Sequence, residues 1–171
     1  MALLVVFAGL PGSGKSVLAR GVADVIGATY LRVDTIESSI ASALTPYQDS
    51  PVGYVVAERV AADQLVAGRH VVADAVNAVA VARAGWVALA ARTGAAIRFV
   101  EVQCSDVAEH RRRVEGREAE MTGQRVPTWA QVLGRSYEPW PPELSGRLVI
   151  DNIGDPAGHI ARIVTGLPVK A

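Results

Sequence analysis

Eight residues near the start of the chain limit its fold more than any other stretch. The segment GLPGSGKS (9–16) follows the apolar run LLVVFA and matches the pattern G-x-x-x-x-G-K-[ST]. Glycines in such a loop allow positive φ angles and bring successive N–H groups close to one anion. A turn rich in glycine and proline, such as GLPG (9–12), could also simply join a strand to a helix, but it would not need a lysine and a hydroxyl in register. The segment predicts a strand, a phosphate-binding loop and a helix, in that order.

The side chains of this loop indicate which anion it binds. Lys15 can neutralise the β- and γ-phosphates of a nucleoside triphosphate, and the Ser16 hydroxyl can coordinate Mg²⁺. The helix that begins near Lys15 adds unpaired amides and the positive end of its dipole. The residues expected at the nucleotide are Gly9, Pro11, Gly12, Ser13, Gly14, Lys15 and Ser16.

Short apolar runs alternate with helical stretches along the rest of the chain. The first helix is expected to end at Gly27, and two later ones at Gly68 and Gly94, because glycine commonly follows a helix. Strands that alternate with helices predict an α/β fold with a parallel sheet, whose ligands bind beyond the carboxyl ends of the strands. The predicted strands span residues 3–9, 29–34, 70–75, 97–104 and 147–151.

Composition limits the classes of function. The chain has 171 residues, half of them hydrophobic, which favours one domain over 1–171 with its own core. The net charge is zero, which disfavours nucleic acid as a partner and requires any anion to be bound locally. Cys104 is the only cysteine, which fits a reducing cytoplasm, and the first apolar run is too short for a membrane span. The sequence leaves the oligomeric state open.

Four segments in fixed order carry a family resemblance. They are FAGLPGSGKS (7–16), LRVD (31–34), VVADAVN (71–77) and HRRRVEGR (110–117). In this order they resemble the P-loop small-molecule kinases, which include AAA_33-type ATP-binding proteins, chloramphenicol phosphotransferase, the 5′-kinase domain of polynucleotide kinase, gluconate kinase and zeta toxins. The resemblance implies a three-layer P-loop NTPase fold of the nucleoside-kinase type, with a five-stranded parallel sheet and a small arginine-bearing lid. It also implies that ATP, with Mg²⁺, donates its γ-phosphoryl group to a hydroxyl of a small molecule.

Asp34 follows the second predicted strand, beside the expected phosphate site. In the kinases that this chain resembles, an aspartate there orients or deprotonates the attacking hydroxyl, and that role carries over to Asp34. Asp34 with Glu37 also matches a helix-capping sequence, which is compatible with the same role. Arg32 lies on the same strand face, where it could contact the acceptor or phosphate, or form a surface salt bridge.

Asp74 ends the third predicted strand. Its carboxylate could hold the water shell of Mg²⁺, bind the acceptor, or cap the following helix. Asn77 is polar in an apolar neighbourhood, and related kinases use this loop on the acceptor, so Asn77 is a second candidate for acceptor binding. Arg83 is a weaker one. The metal-binding residues expected here are Ser16 and Asp74.

An arginine-dense segment after the fourth strand predicts the lid, over about 113–135. Asp106 is the expected helix cap, with Glu109 three residues later, and Arg113 and Arg117, four residues apart, are expected to share one face of the helix. These two arginines, ahead of their neighbours Arg111 and Arg112, would neutralise charge on the transferring phosphoryl group, with hinges at Gly116 and Gly123. An ordinary ion pair between Glu109 and Arg113 is the alternative. The expected catalytic residues are Lys15, Asp34, Arg113 and Arg117.

Two further regions are less specific. Residues 42–58, with Pro46, Tyr47 and Tyr54, are a candidate acceptor-binding cap, although both tyrosines could belong to the edge of the core. Core packing is also favoured over ligand stacking for Trp129, Tyr137 and Trp140. In the kinases that this chain resembles, the loop after the last strand lies near the adenine, so the resemblance implies that residues 151–156 line it. The remaining alternatives are a 5′-hydroxyl polynucleotide kinase and a non-kinase P-loop ATPase or nucleotide-dependent switch.

Overall fold

The computed structural model describes residues 1–44, 50–120, 122 and 124–168. Five strands form one sheet in the order β2-β3-β1-β4-β5, and every neighbouring pair is parallel. The predicted α/β class with a five-stranded parallel sheet is confirmed, and each strand lies within about two residues of its predicted bounds. The strands are β1 Leu3–Ala8, β2 Thr29–Arg32, β3 Val71–Asp74, β4 Ala96–Gln103 and β5 Leu148–Asp151.

At least one helix lies between each two consecutive strands, as the crossover connections of a parallel sheet require. Gly27 and Gly94 follow the first and fourth helices in the left-handed conformation, as predicted for glycine at helix ends. The helices are α1 Lys15–Ile26, α2 Val33–Ala43, α3 Val52–Val66, α4 Ala80–Thr93, α5 Val107–Glu115, α6 Trp129–Leu133 and α7 Pro156–Thr165, with a 3₁₀ turn at Pro142–Leu144.

Strand β1 is buried on both faces because helices cover both sides of the sheet. Leu3, Val5 and Phe7 pack into a cluster with residues of α1 and α7. Leu4 and Val6 point the other way, into a cluster with α3 and α4. This alternation gives the predicted three layers, with the sheet in the middle. Among the described helices, none is long and apolar enough to cross a membrane.

The boundary between β2 and α2 differs from the prediction. Strand β2 ends at Arg32, and α2 begins at once with Val33. Asp34 therefore lies in the first helical turn and is not the helix cap, so both the longer strand and the cap were wrong. A carboxylate in a first turn still interacts favourably with the helix dipole, which explains why an acidic residue is stable there.

The strand register brings the candidate residues to one edge of the sheet. Asp74 of β3 pairs with Phe7 of β1 on one side and with Arg32 of β2 on the other. The segment 9–16 after β1 and the start of α2 after β2 consequently lie beside the carboxyl end of β3, where ligands of parallel sheets bind.

Candidate active site

Three glycines of the loop between β1 and α1 adopt conformations that other residues rarely adopt. Gly9, Gly12 and Gly14 have φ angles of 145°, 82° and 83°. A Cβ atom at these positions would overlap with the carbonyl oxygen of Val102, the Val114 side chain and the Asn152 amide, respectively. The loop is therefore packed against β4, α5 and the end of β5, and glycine is required by both backbone angle and space.

Two side chains from distant elements hold the loop from behind. His110 of α5 places Nε2 2.8 Å from the carbonyl oxygen of Pro11. Asn152, directly after β5, donates from Nδ2 to the carbonyl oxygen of Ser13 at 3.0 Å. Both side chains are buried. Neither residue was predicted to contact the loop, because their positions depend on how α5 and β5 pack.

The interior of the loop holds polar groups that lack protein partners. Lys15 is buried, and no ion pair to it occurs within the residues described. The Ser13 hydroxyl is buried without a hydrogen bond. Burying polar groups in this way costs free energy unless a ligand satisfies them, so the loop is suited to an anion.

Asp74 presents one paired and one unpaired oxygen near the loop. Tyr30 donates its hydroxyl to Oδ2 at 2.7 Å, whereas the buried Oδ1 has no hydrogen-bond partner. Burial and the neighbouring Asp74 carboxylate raise the pKa of Tyr30, so the phenol stays protonated and keeps donating. The unpaired carboxylate oxygen and the partly exposed Ser16 hydroxyl are the donor types that Mg²⁺ prefers, so these residues fit that ion.

Asp34 lies in a cluster of alternating charges. Its Oδ2 is 3.9 Å from Arg32 Nη2 and 3.9 Å from Arg117 Nη2. Arg32 also donates from Nη1 to Glu120 Oε2 at 2.6 Å, and this hydrogen bond lowers the pKa of the Glu120 carboxyl. The Asp34 side chain is 29% exposed, so its carboxylate remains accessible to a ligand between the two arginines.

A cavity of about 780 Å³ opens in front of this cluster. Pro11 of the loop and Asp34 of α2 both line it, so a ligand in the cavity would contact the phosphate-binding loop and the carboxylate together. The volume is that of an ordinary small-molecule site. The lining residues are Pro11, Asp34, Glu37, Ser38, Ala41, Ser50, Tyr54, Val76, Arg117, Gln124, Arg125, Val126, Pro127, Gln131 and Arg135.

The chain matches a known protein family over most of its length. Residues 4–135 match the AAA_33 family, described as an AAA domain. The chain belongs to the AAA_33 family. This confirms the resemblance on which the sequence analysis relied.

Solved structures show the same fold at low sequence identity. An unliganded sugar kinase from Janibacter sp. HTCC2649 is 21% identical, with 96% of this chain and 94% of that chain covered and a TM-score of 0.65. The APS kinase of Mycobacterium tuberculosis, in complex with AMPPNP and APS, is 21% identical over 96% of each chain, with a TM-score of 0.65. Kti12 of Chaetomium thermophilum, with ADP-AlF₃, is 18% identical over 94% and 96%, with a TM-score of 0.69. No protein of curated function matches the chain in sequence.

The side chains of Asn77 and Arg83 in this AAA_33 domain are buried, whereas both were predicted as candidates for acceptor binding. Asn77 is fully buried, donates from Nδ2 to the Phe7 carbonyl oxygen and accepts from Trp86 Nε1. Arg83 is also fully buried, and its guanidinium donates to four carbonyl oxygens, among them that of Asn77. Because both side chains have protein partners, they fix the loop after β3 and offer no group to an acceptor.

The arginine-dense segment divides into two parts. Asp106 caps α5 by accepting from the Glu109 amide, as predicted. Helix α5 ends at Glu115, so the expectation that Arg113 and Arg117 share a helix face was wrong. Arg113 donates to Glu109 at 2.7 Å and to the carbonyl oxygen of Asn152 at 3.0 Å, behind the loop. Arg117 instead points to Asp34 and the cavity.

The aromatic residues and hinges of this region have mixed outcomes. Trp140 packs edge-on to Phe99 with ring centroids 5.5 Å apart, and Trp129 packs edge-on to His110 at 5.2 Å, which favours packing over ligand stacking. Closure of the lid over 113–135 stays a prediction. Pro46 and Tyr47 of the predicted acceptor-binding cap, and the predicted hinge Gly123, lie outside the described residues.

Proposed function

We propose that this chain is an ATP-dependent phosphotransferase that moves the γ-phosphoryl group to a hydroxyl of a small molecule. The observation that carries the proposal is the shared cavity, which Pro11 of the phosphate-binding loop and Asp34 both line. A hydroxyl bound there would meet a carboxylate on one side and the end of the triphosphate on the other. Phosphoryl transfer depends chiefly on such positioning and on charge stabilisation.

The loop would bind the triphosphate through groups for which the described residues provide no other partner. Its backbone amides, the positive end of α1 and the Lys15 ammonium would surround the β- and γ-phosphates. Ser16 and the unpaired oxygen of Asp74 would hold Mg²⁺, which supplies charge neutralisation between the phosphates when bound.

The acceptor side would be organised by Asp34. Its carboxylate accepts the hydroxyl proton or holds the hydroxyl in line with the phosphorus atom, while Arg32 keeps the carboxylate in place. Arg117 would move from Asp34 towards the charge that develops on the transferring group. Arg113 would act through the loop, because it holds Asn152 behind Ser13.

The zero net charge and the cavity size favour a small acceptor over a polynucleotide, whose binding needs several phosphate contacts. The single cysteine is consistent with a reducing cytoplasm, where such a kinase would find ATP.

A screen of hydroxyl-bearing metabolites, nucleosides and antibiotics with ATP and Mg²⁺ tests the proposal, with ADP release as the readout. We expect at least one compound to increase ADP release and to gain a phosphoryl group that mass spectrometry detects. The Lys15→Ala variant serves as the control, because it should keep the fold and lose this activity. Release that Lys15→Ala retains would contradict the assignment of the loop.

A further inference from the structure

Two groups of residues form the walls of the cavity, and the two walls differ in charge. One wall is a face of α2, where Asp34, Glu37, Ser38 and Ala41 recur at helical spacing. The other wall consists of Arg117, of residues 124–127 before α6, and of residues 131 and 135 in and after α6, and it carries three guanidinium groups. These are Arg117, Arg125 and Arg135.

The two glutamines of the second wall present donors to the cavity. Gln124 Oε1 accepts from the backbone N–H of Glu120 at 2.6 Å. Gln131 Oε1 accepts from the backbone N–H of Thr128 at 2.9 Å. Because the amide oxygens are engaged in this way, each side chain has its NH₂ group available for a ligand.

Tyr54 adds a further donor between the walls. Its Oη accepts from the backbone N–H of Asn77 at 3.2 Å, so its own hydroxyl hydrogen can point to a ligand. Burial raises the pKa of Tyr54 to about 12, so the phenol is protonated at neutral pH.

Arg135 is the cation of this wall whose role is not explained by protein contacts. It is exposed to the cavity, and among the described residues no carboxylate forms an ion pair with it. Arg117, by contrast, lies within 4.0 Å of Asp34 and Glu120. A guanidinium with five fixed donors matches a carboxylate or a phosphate better than a neutral hydroxyl.

We propose that the acceptor carries an anionic group, a carboxylate or a phosphate, and that Arg135 binds it with the NH₂ groups of Gln124 and Gln131. This inference rests on the proposed function, because it takes the cavity as the acceptor site. The hydroxyl to be phosphorylated lies at Asp34, and the anionic group of the same molecule lies at Arg135. Substrates would therefore be hydroxy acids or phosphate esters that bear a free hydroxyl.

A nuclear magnetic resonance titration tests this without knowledge of the substrate. The ¹⁵N-labelled protein is first saturated with Mg-AMPPNP to fill the phosphate-binding loop, and sodium phosphate and sodium acetate are then added separately at constant ionic strength. We expect at least one anion to shift the amides of residues 124–126 and 135 in a saturable manner. A response to phosphate alone indicates a phosphate ester as acceptor, and a response to acetate alone indicates a carboxylic acid.

The variant Arg135→Gln should weaken this anion binding about tenfold or more, the loss expected for one charge-assisted hydrogen-bonded pair. Arg162→Gln is the matched control, since Arg162 is an exposed arginine of α7 that does not line the cavity, and it should leave the Kd unchanged. The inference is overturned if neither anion gives a saturable shift, or if Arg135→Gln binds it as tightly as the wild type.

The titration requires no turnover, so the two proposals fail separately. Acceptor-dependent ADP release without Arg135-dependent anion binding would overturn this inference and leave the kinase. Anion binding at Arg135 without any acceptor-dependent ADP release would count against the proposed function.

Discussion

At the scale of single residues, the effect of replacing a glycine depends more on the space around it than on its backbone angle. Gly14 and Gly68 have φ angles of 83° and 79°, so an L-residue is strained at both. A Cβ at Gly14 would overlap with the Asn152 amide that holds the loop, whereas a Cβ at Gly68 would meet nothing within 4 Å. The two positions thus separate backbone strain from the packing of the loop.

We expect Gly68→Ala to lose about 1–2 kcal/mol of unfolding free energy from its φ angle alone and to bind ATP normally. Gly14→Ala should lose more, and it should also lose nucleotide binding, because Asn152 must move away from Ser13. Urea unfolding and titration with an ATP analogue measure both effects. Normal nucleotide affinity in Gly14→Ala would contradict the role assigned to Asn152.

The residues of the loop could be predicted from the sequence because their signal is local. Glycines, a lysine and a hydroxyl within 9–16 define it without reference to the rest of the chain. His110 and Asn152 could not be predicted, since they lie 99 and 139 positions from their loop partners. Asn77 was misread because a polar residue beside a site has the same sequence signal whether it binds a ligand or the backbone.

At the scale of elements, an ion pair with a buried carboxylate joins β4 to the residue just before β5. Arg147, just before β5, donates from Nε to Glu101 Oε2 of β4 at 2.6 Å, and Glu101 is buried. Burial raises the pKa of Glu101, but the hydrogen bond and charge of Arg147, together with the neighbouring polar groups of Trp140 and Tyr137, outweigh burial, and the pKa lies below its ordinary value. A lowered carboxyl pKa contributes stability above the unfolded pKa of about 4.3, and this stability is lost as the pH falls through the folded pKa.

Arg147→Met should therefore cost about 2–3 kcal/mol at pH 7, and the cost should shrink at pH 4, where the unpaired Glu101 is protonated. Urea unfolding at the two pH values measures it. Arg98→Met is the control, because Arg98 of β4 donates to the carbonyl oxygens of Gly146 and Gly166 and forms no ion pair with a carboxylate of the described residues. A cost for Arg147→Met that is equal at both pH values would show that the charge of Glu101 is not involved.

The end of α5 separates the two arginines expected to act on phosphate. We expect Arg117→Gln to lower kcat about 100-fold or more with little change in the Kd for ATP, because Arg117 lines the cavity beside Asp34. Arg111→Gln is the matched control, since Arg111 pairs with Glu115 on the exposed face of α5. Equal losses of kcat in the two variants would exclude a specific role for Arg117.

Helix α1, with apolar residues at helical spacing and a glycine stop, was predicted well, whereas for α4 the glycine stop alone marked the helix end. The junction of β2 and α2 was not predicted, because Val33 and Asp34 have no local signal that separates strand from helix. The arginine-dense segment could be placed after β4, but the end of α5 at Glu115 depends on packing that the sequence alone does not reveal.

At the scale of the whole molecule, the strand order creates the site. Strands far apart in sequence, β1, β2 and β3, are neighbours in the sheet, so the loop after β1 and the helix after β2 meet at one cavity. The parallel class was predictable from alternating strands and helices. The two-walled cavity was not, since it depends on side chains from α2, α3, α6 and the segment between α5 and α6.

The proposed phosphotransferase function depends most on Asp34, as the group that positions the acceptor hydroxyl. The measurement that tests it most directly is transfer of ³²P from [γ-³²P]ATP to a confirmed acceptor by wild type and Asp34→Asn, with ATP affinity measured in parallel. We predict that Asp34→Asn binds ATP as the wild type does and transfers label at least about 100-fold more slowly, the loss typical of removing a general base. Transfer by Asp34→Asn at the wild-type rate would contradict the account.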